Sequence, residues 1–166
     1  MPRLAHILIA LSAAALLGGC GFRPLYSDNG GESAETLLRG AEVAPQNDRT
    51  GQLIRNAFLE GIAPAAAGGG GYRINFTHSS KTLDAVVSFS GNKPQKRYVL
   101  NVEYQLSNAA GKELTSGKTF AEVSYTTTGH LHADNQARDN AIETATRVVA
   151  RDMRTRLAAW LASHRQ

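Results

Sequence analysis

Apolar and polar residues alternate through the middle of the chain, between residues 72 and 125. The alternation is clearest from residue 98 to residue 106, where every second side chain is apolar and most of those between are polar or charged. The apolar positions are Tyr98, Leu100, Val102, Tyr104 and Leu106. Because successive side chains of a strand point to opposite faces, this pattern predicts a strand with one buried and one solvent-exposed face.

Two shorter strands are predicted before it. Apolar residues alternate from Tyr72 to Phe76 and again from Leu83 to Phe89, on either side of a turn predicted at Ser79–Lys81. The segment Gly91–Pro94 has the composition of a second turn. These strands and the next are expected to pair antiparallel, because short turns join them.

A return strand is predicted at Glu113–Tyr125, after a hairpin turn at Asn108–Gly111. Gly117 lies inside this strand and is expected to form a bulge that changes the register. Beyond the bulge, Ala121, Val123 and Tyr125 are expected to share a face.

Helical spacing predicts two helices. After a short strand at Leu37–Val43, Asn47 or Asp48 can cap a helix whose apolar residues are Leu53, Ile54, Ala57, Phe58 and Ile62. Pro64 and the Ala/Gly run at 65–71 are expected to end it. A long final helix is predicted from Asp134 to Ser163, with the apolar stripe Ile142, Ala145, Val149, Met153, Leu157, Trp160 and Leu161.

The order of these elements predicts an α+β fold. We expect a two-layer sandwich, in which a mostly antiparallel sheet of about four strands carries the two helices on one face. The composition of the chain, 42% hydrophobic and 7% aromatic, is typical of a globular domain. The formal net charge is only +4, so charge alone does not predict a nucleic-acid-binding protein, and none is expected as a partner.

The N-terminus has the features of a bacterial lipoprotein precursor. A basic Arg3 precedes an apolar run at Leu4–Leu17, and Gly18-Gly19 leads into Cys20, the single cysteine of the chain. We therefore predict a signal peptide at residues 1–19, a lipidated, flexible tether at 20–35 and a folded domain at 36–166. The alternatives are an ordinary secretory signal or a short membrane anchor, with an incidental cysteine. Residue 21 is Gly and not Asp, which favours sorting to the outer membrane.

No motif in the sequence predicts catalysis. Five residues lie between Gly111 and Gly117, one more than in a P-loop, and the segment continues into a strand. His130 and His132 have a spacing that suits zinc, but no third ligand is implied near them. We therefore expect a non-enzymatic protein with no metal, and with no cofactor other than the lipid on Cys20.

The residues after Cys20 carry a family resemblance. The run Cys20-Gly21-Phe22-Arg23-Pro24-Leu25-Tyr26 resembles the mature N-terminus of the LPS-assembly lipoprotein LptE of alphaproteobacteria. The resemblance continues through Arg49–Asn56, the strand and turn at Tyr98–Gly111, Ser124-Tyr125 and the alanine- and arginine-rich final helix.

This resemblance implies an outer-membrane lipoprotein, anchored on the periplasmic side. Such a protein partners and plugs the LptD barrel, assists its assembly and helps to deliver lipopolysaccharide to the outer leaflet. An accessory lipoprotein of a phospholipid-transporting ABC system is the main alternative, and an anchored periplasmic enzyme is a third.

Lipopolysaccharide carries phosphates, so basic residues near a strand entrance are candidates for contacting it. Lys93, Lys96 and Arg97 form the group we select. The alternative is a basic turn that keeps a sheet edge soluble.

Overall fold

The structure is a computed structural model that describes residues 38–62, 71–85 and 94–164. The elements, in chain order, are β1 (Glu42–Val43), α1 (Arg49–Leu59), β2 (Tyr72–Asp84), β3 (Gln95–Asn108), β4 (Glu113–Thr126) and α2 (Leu131–Ser163). The four strands form one sheet in the order β1-β2-β3-β4. This is the predicted α+β architecture, with a mixed sheet that is mostly antiparallel.

The antiparallel part of the sheet follows the alternation in the sequence. β2 pairs with β3, and Ile74 lies opposite Leu106. β3 pairs with β4, and Leu100 lies opposite Ala121. The apolar alternate residues of the three strands therefore share one face, and they are buried there.

β1 adds a parallel pairing to this sheet. Glu42 and Val43 pair with Arg73 and Ile74 of β2, and α1 forms the connection between the two strands. The predicted strand at Leu37–Val43 is thus only two residues long among the described residues, because residues 38–40 form a turn before it.

Both helices cover the apolar face of the sheet. Ile54 and Phe58 of α1 join the core cluster, together with most of the predicted stripe of α2. Ile142 and Trp160 of that stripe are only partly buried and pack against the cluster. The residues of α2 in that cluster are Ala141, Ala145, Val149, Ala150, Met153, Leu157, Ala158 and Leu161. One face of the sheet is therefore in the core, and among the described residues no helix lies on the other face.

Asp48 caps the N-terminus of α1, as its sequence position predicts. Its Oδ2 accepts a hydrogen bond from the backbone N–H of Gly51 at 3.0 Å, which gives one free N–H of the first turn a partner. The helix ends at Leu59, so the prediction that it includes Ile62 was wrong.

The turn predicted at Ser79–Lys81 was wrong, because these residues lie within β2. They pair in register with Asn101, Leu100 and Val99 of β3. The apolar alternation changes phase between Phe76 and Leu83, and the sequence therefore resembles two strands. In the structure, the residues from Ser79 to Asp84 are exposed on both faces of one continuous strand, so no single face there needs to be apolar.

The bulge predicted at Gly117 was also wrong. Gly117 pairs regularly with Tyr104, and the shift in register occurs between Leu106 and Ser107. The hairpin at Asn108–Gly111 is confirmed: the N–H of Asn108 donates to the carbonyl of Lys112, and Gly111 has a φ of 79°. The long helix begins at Leu131, three residues before the predicted start.

Several predicted features lie outside the described residues. They are the signal peptide, Cys20, the tether at 20–35, Pro64 with most of the Ala/Gly run, the second half of the strand predicted at Leu83–Phe89, and Lys93.

Candidate functional site

The structure places Lys96 and Arg97 on opposite faces of the sheet. They are consecutive residues of β3, so their side chains point in opposite directions. Lys96 Nζ lies 3.7 Å from Asp84 Oδ1 on the helix side, and Arg97 Nη1 lies 3.2 Å from Glu122 Oε2 on the other side. The described members of the predicted basic group are therefore separated, and each is paired with a carboxylate.

We use the name open face for the side of the sheet that carries no helix in the described part of the chain. It consists of alternate side chains from the three long strands. They are Arg73, Asn75, Thr77, Ser79, Lys81 and Leu83 of β2, Arg97, Val99, Asn101, Glu103 and Gln105 of β3, and Ser116, Lys118, Phe120, Glu122 and Ser124 of β4. Most of these side chains carry hydrogen-bonding groups, which agrees with the solvent-exposed face predicted for β3.

Ion pairs join neighbouring strands across the open face. Lys118 Nζ lies 2.6 Å from Glu103 Oε1, which links β4 to β3. The pair of Arg97 and Glu122 links the same two strands, four residues further along β4. Exposed pairs of this kind contribute at most about 1 kcal/mol each to stability. Their main consequence is an alternating pattern of charge on the surface.

A shallow depression of about 520 Å³ lies on the open face. Its polar lining comes from all three long strands and comprises Asn75, Thr77, Glu103, Gln105, Glu113, Ser116 and Lys118. Amide, hydroxyl, carboxylate and ammonium groups in this arrangement can exchange hydrogen bonds with a polar partner. The depression is open to solvent, so it suits contact with a surface better than enclosure of a small substrate.

Phe120 is a strongly exposed apolar residue on the open face, where Leu83 is also exposed, though less so. The Phe120 side chain is 66% exposed, and Lys118 and Glu122 flank it on β4. Our sequence analysis did not select it, although the prediction that Ala121, Val123 and Tyr125 share a face already places Phe120 on the opposite face. An apolar residue out of phase with a buried stripe was the available signal.

The carboxylates with shifted pKa values accept hydrogen bonds that hold local structure together. The N–H of Gly51 and His78 Nε2, which lies 3.0 Å from Oδ1, both lower the pKa of Asp48. Hydrogen bonds from Thr128 and Gly129 lower the pKa of Asp134 and fix the loop that enters α2. Burial raises the pKa of Tyr104, whose ring lies in the core. These shifts are accounted for by helix entry and packing.

The two histidines with zinc-like spacing belong to the start of α2. His130 is the N-cap residue and His132 lies in the first turn. In the parts of the chain that the structure describes, no group of three or more His, Cys, Asp or Glu side chains is arranged to hold a metal ion. In the same residues, no helix combines the length and apolar composition needed to span a membrane.

Comparison with known proteins identifies similar folds. No protein-family model matches the chain, and no curated protein sequence matches it significantly. A "putative lipoprotein" from Caulobacter crescentus superimposes with a TM-score of 0.64 at 22% identity, covering 78% of this chain and 96% of that one. A minor lipoprotein from Acinetobacter baumannii gives a TM-score of 0.53 at 14% identity, covering 73% of this chain and 91% of the other.

A third similar structure is rare lipoprotein B from Shewanella oneidensis. Its TM-score is 0.51 at 15% identity, with 73% of this chain and 93% of that protein covered. At these identities the likeness establishes a common fold. This fold is therefore one that several bacterial lipoproteins share.

Proposed function

We propose that this chain is an outer-membrane lipoprotein, lipidated at Cys20, that partners and plugs the LptD barrel and assists lipopolysaccharide delivery. The observation that carries the proposal is the agreement between two independent features. One is the N-terminal run from Cys20 to Tyr26, which resembles the mature start of LptE. The other is a fold shared with lipoproteins over nearly their full length.

The anchor sets where the domain works. A lipid on Cys20 confines the chain to a membrane surface, because each buried CH₂ group adds about 0.8 kcal/mol to membrane binding. The described domain begins at residue 38, so a segment of the chain separates it from the anchor. The domain can therefore engage a partner in the same membrane.

The open face provides the chemistry that a barrel lumen requires. The interior of a large outer-membrane barrel is polar, so an occupant must offer hydrogen bonds and mixed charges to its wall. The open face does so with Asn101, Gln105 and the ion pair of Lys118 and Glu103. The two helices bury the apolar face of the sheet within the domain itself.

Co-purification from native envelopes tests the proposal. The tagged full chain is extracted in mild detergent, and captured proteins are compared by electrophoresis with and without heating. We expect a large outer-membrane protein whose mobility changes on heating, as a folded barrel does. Capture of an inner-membrane transporter instead would support the ABC-system alternative, and capture of neither would contradict both partnerships.

A matched variant makes the test specific to the open face. Replacing Asn101 and Gln105 with Leu removes hydrogen-bonding groups without adding charge, and both side chains lie outside the core. We expect this variant to capture less of the barrel protein than a control variant, Gln136→Leu, at an exposed position of α2. Equal capture by the two variants would exclude the open face as the lumen contact.

A further inference from the structure

In the sheet that the described residues form, β4 is an edge strand with one unpaired side. It is last in the sheet order, and its 14 residues pair with β3 alone among the residues that the structure describes. The N–H of Thr127 donates to the carbonyl of Pro94 at 2.9 Å, which fixes the phase of the β3–β4 ladder. The backbone N–H and C=O groups of odd-numbered β4 residues up to Tyr125 therefore point toward β3. Those of the even-numbered residues from Ser116 onward point to the unpaired side.

The side chains of those same even residues lie on the open face. Their order along β4 is Ser116, Lys118, Phe120, Glu122 and Ser124. This order is self-complementary about Phe120. When two copies of the strand are laid antiparallel with Phe120 at the centre, each Lys118 lies opposite Glu122 of the other copy, and each Ser116 lies opposite Ser124.

We propose that the free edge of β4 pairs antiparallel with β4 of a second copy of this chain, around a two-fold axis at Phe120. The pairing gives backbone groups on the free edge hydrogen-bond partners and extends the sheet across both molecules. It places the two exposed Phe120 rings side by side and adds two Lys–Glu pairs on the same face. This inference does not depend on the barrel partnership.

The charge order favours a second copy over an unrelated strand. Charged residues on an edge strand normally discourage pairing, because a partner brings like charges or none. Here the sequence of β4 supplies the opposite charge at both charged positions, Lys118 and Glu122. Lys118 would lie between Glu103 of its own β3 and Glu122 of the other copy, and Glu122 would lie between Arg97 and Lys118 of the other copy. Anchoring in one membrane raises the effective concentration of copies for each other.

Disulfide trapping tests the two-fold axis. In a hydrogen-bonded antiparallel pair the two Cα atoms lie about 5.5 Å apart, within the range a disulfide bridges. The full chain carrying Phe120→Cys is treated with a mild oxidant in native envelopes and analysed on a non-reducing gel. Ser116→Cys is the matched control, because its two copies would lie about 27 Å apart at the strand rise of 3.4 Å per residue.

We expect at least about ten-fold more disulfide dimer from Phe120→Cys than from Ser116→Cys or the unmodified chain, because only residue 120 meets itself at a bridgeable distance. The unmodified chain controls for Cys20. Equal yields from the two variants, or no dimer from Phe120→Cys, would overturn the proposal.

Charge reversal tests the register independently. In the Phe120→Cys background, Lys118→Glu and Glu122→Lys each place like charges opposite one another, so each variant alone should lose most of its dimer. Expressed together with tags of different size, the two variants are complementary and should form the mixed dimer. Unchanged self-dimers of either variant, or absence of the mixed dimer, would contradict the Lys118–Glu122 pairing.

Discussion

Arg154 of α2 donates a hydrogen bond from Nη1 to the carbonyl oxygen of Phe58 at 3.1 Å, and the same nitrogen contacts the carbonyl of Ala57. Its guanidinium carbon lies 5.9 Å from the centre of the Phe58 ring. These carbonyls belong to the last turn of α1, where backbone oxygens lack regular partners within the helix. Arg154 therefore joins the long helix to the end of the short one.

Replacing Arg154 with Met should destabilise the domain. The change leaves carbonyl oxygens of α1 without this charged donor, so we expect the free energy of unfolding to fall by about 2 kcal/mol. Arg151→Met is the control, because that exposed side chain lies one turn away on α2. Urea unfolding followed by the fluorescence of Trp160 measures both variants. Equal effects at the two positions would contradict the contact.

A second prediction concerns Gly117, which lies beneath the ring of Tyr104. A Cβ atom at residue 117 would approach the hydroxyl oxygen of Tyr104 to 2.5 Å. Gly117→Ala should therefore lower the free energy of unfolding by about 1–3 kcal/mol, as overpacking does. Gly71→Ala is the control, because its added Cβ would meet Ala109 at an ordinary 3.7 Å.

The Tyr104 ring can be tested as the cause of that loss. In a Tyr104→Leu background the ring is absent, so adding Gly117→Ala should lower stability by less than it does in the unmodified chain. Thermal unfolding monitored by circular dichroism gives the comparison. Additive losses would show that the ring does not obstruct the new methyl group.

The carboxylate of Asp48 should make stability depend on acid pH. The N–H of Gly51 and the contact with His78 hold its pKa below the ordinary value of 3.8. A carboxyl group whose pKa is depressed on folding adds stability above its unfolded pKa, and loses it as the pH falls through the folded pKa. The stabilising effect should therefore be present above about pH 4 and decline below it.

Asp48→Asn isolates that charge. Asn remains a good N-cap, so it preserves the helix entry and removes only the titrating group. We expect the stability difference between the unmodified chain and Asp48→Asn to shrink as the pH is lowered from 6 to 3, measured by urea unfolding at each pH. A constant difference across this range would contradict the depressed pKa of Asp48.

The predicted glycolipid contact can be tested by charge reversal. Changing Lys93, Lys96 and Arg97 together to Glu should weaken lipopolysaccharide binding, because it replaces cations with anions near the lipid phosphates. Lys112→Glu, at the exposed hairpin, controls for a general change in charge. Binding of purified lipopolysaccharide is measured alongside circular dichroism. Unchanged binding by a folded triple variant would remove this site assignment.

Single substitutions then separate the two described residues. Lys96 and Arg97 lie on opposite faces of β3, so one flat phosphate-bearing surface cannot contact both side chains equally. Lys96→Gln and Arg97→Gln should therefore have unequal effects on the same binding measurement. Equal losses would indicate that the ligand wraps around this end of the strand.

The anchor prediction concerns Cys20 alone. Cys20→Ala removes the thiol that lipidation requires, so the variant should remain an uncut precursor or be released in soluble form. Fractionation of cells and intact mass measurement report both outcomes. A variant that lost its signal peptide and still fractionated with the outer membrane would contradict lipid anchoring.

Local patterns in the sequence determined the type of fold. Alternation from Tyr98 to Leu106 predicted the central strand, because the period of side chains along a strand is two. The stripe from Ile142 to Leu161 predicted the covering helix, because a helix buries residues three and four apart. The cap at Asp48 and the Asn108–Gly111 turn were also predictable, because their hydrogen bonds connect residues close in the chain.

The tertiary structure decided what depends on residues far apart in the chain. Ser79–Lys81 lie in a strand because β3 supplies backbone partners, although their composition favours a turn. Gly117 accommodates the Tyr104 ring and forms no bulge, which only the pairing of β3 with β4 specifies. Lys96 and Arg97 are neighbours in sequence but are separated by the sheet, because adjacent strand residues point to opposite faces. The edge of β4 that no other described strand pairs with is defined only once the strand order is set.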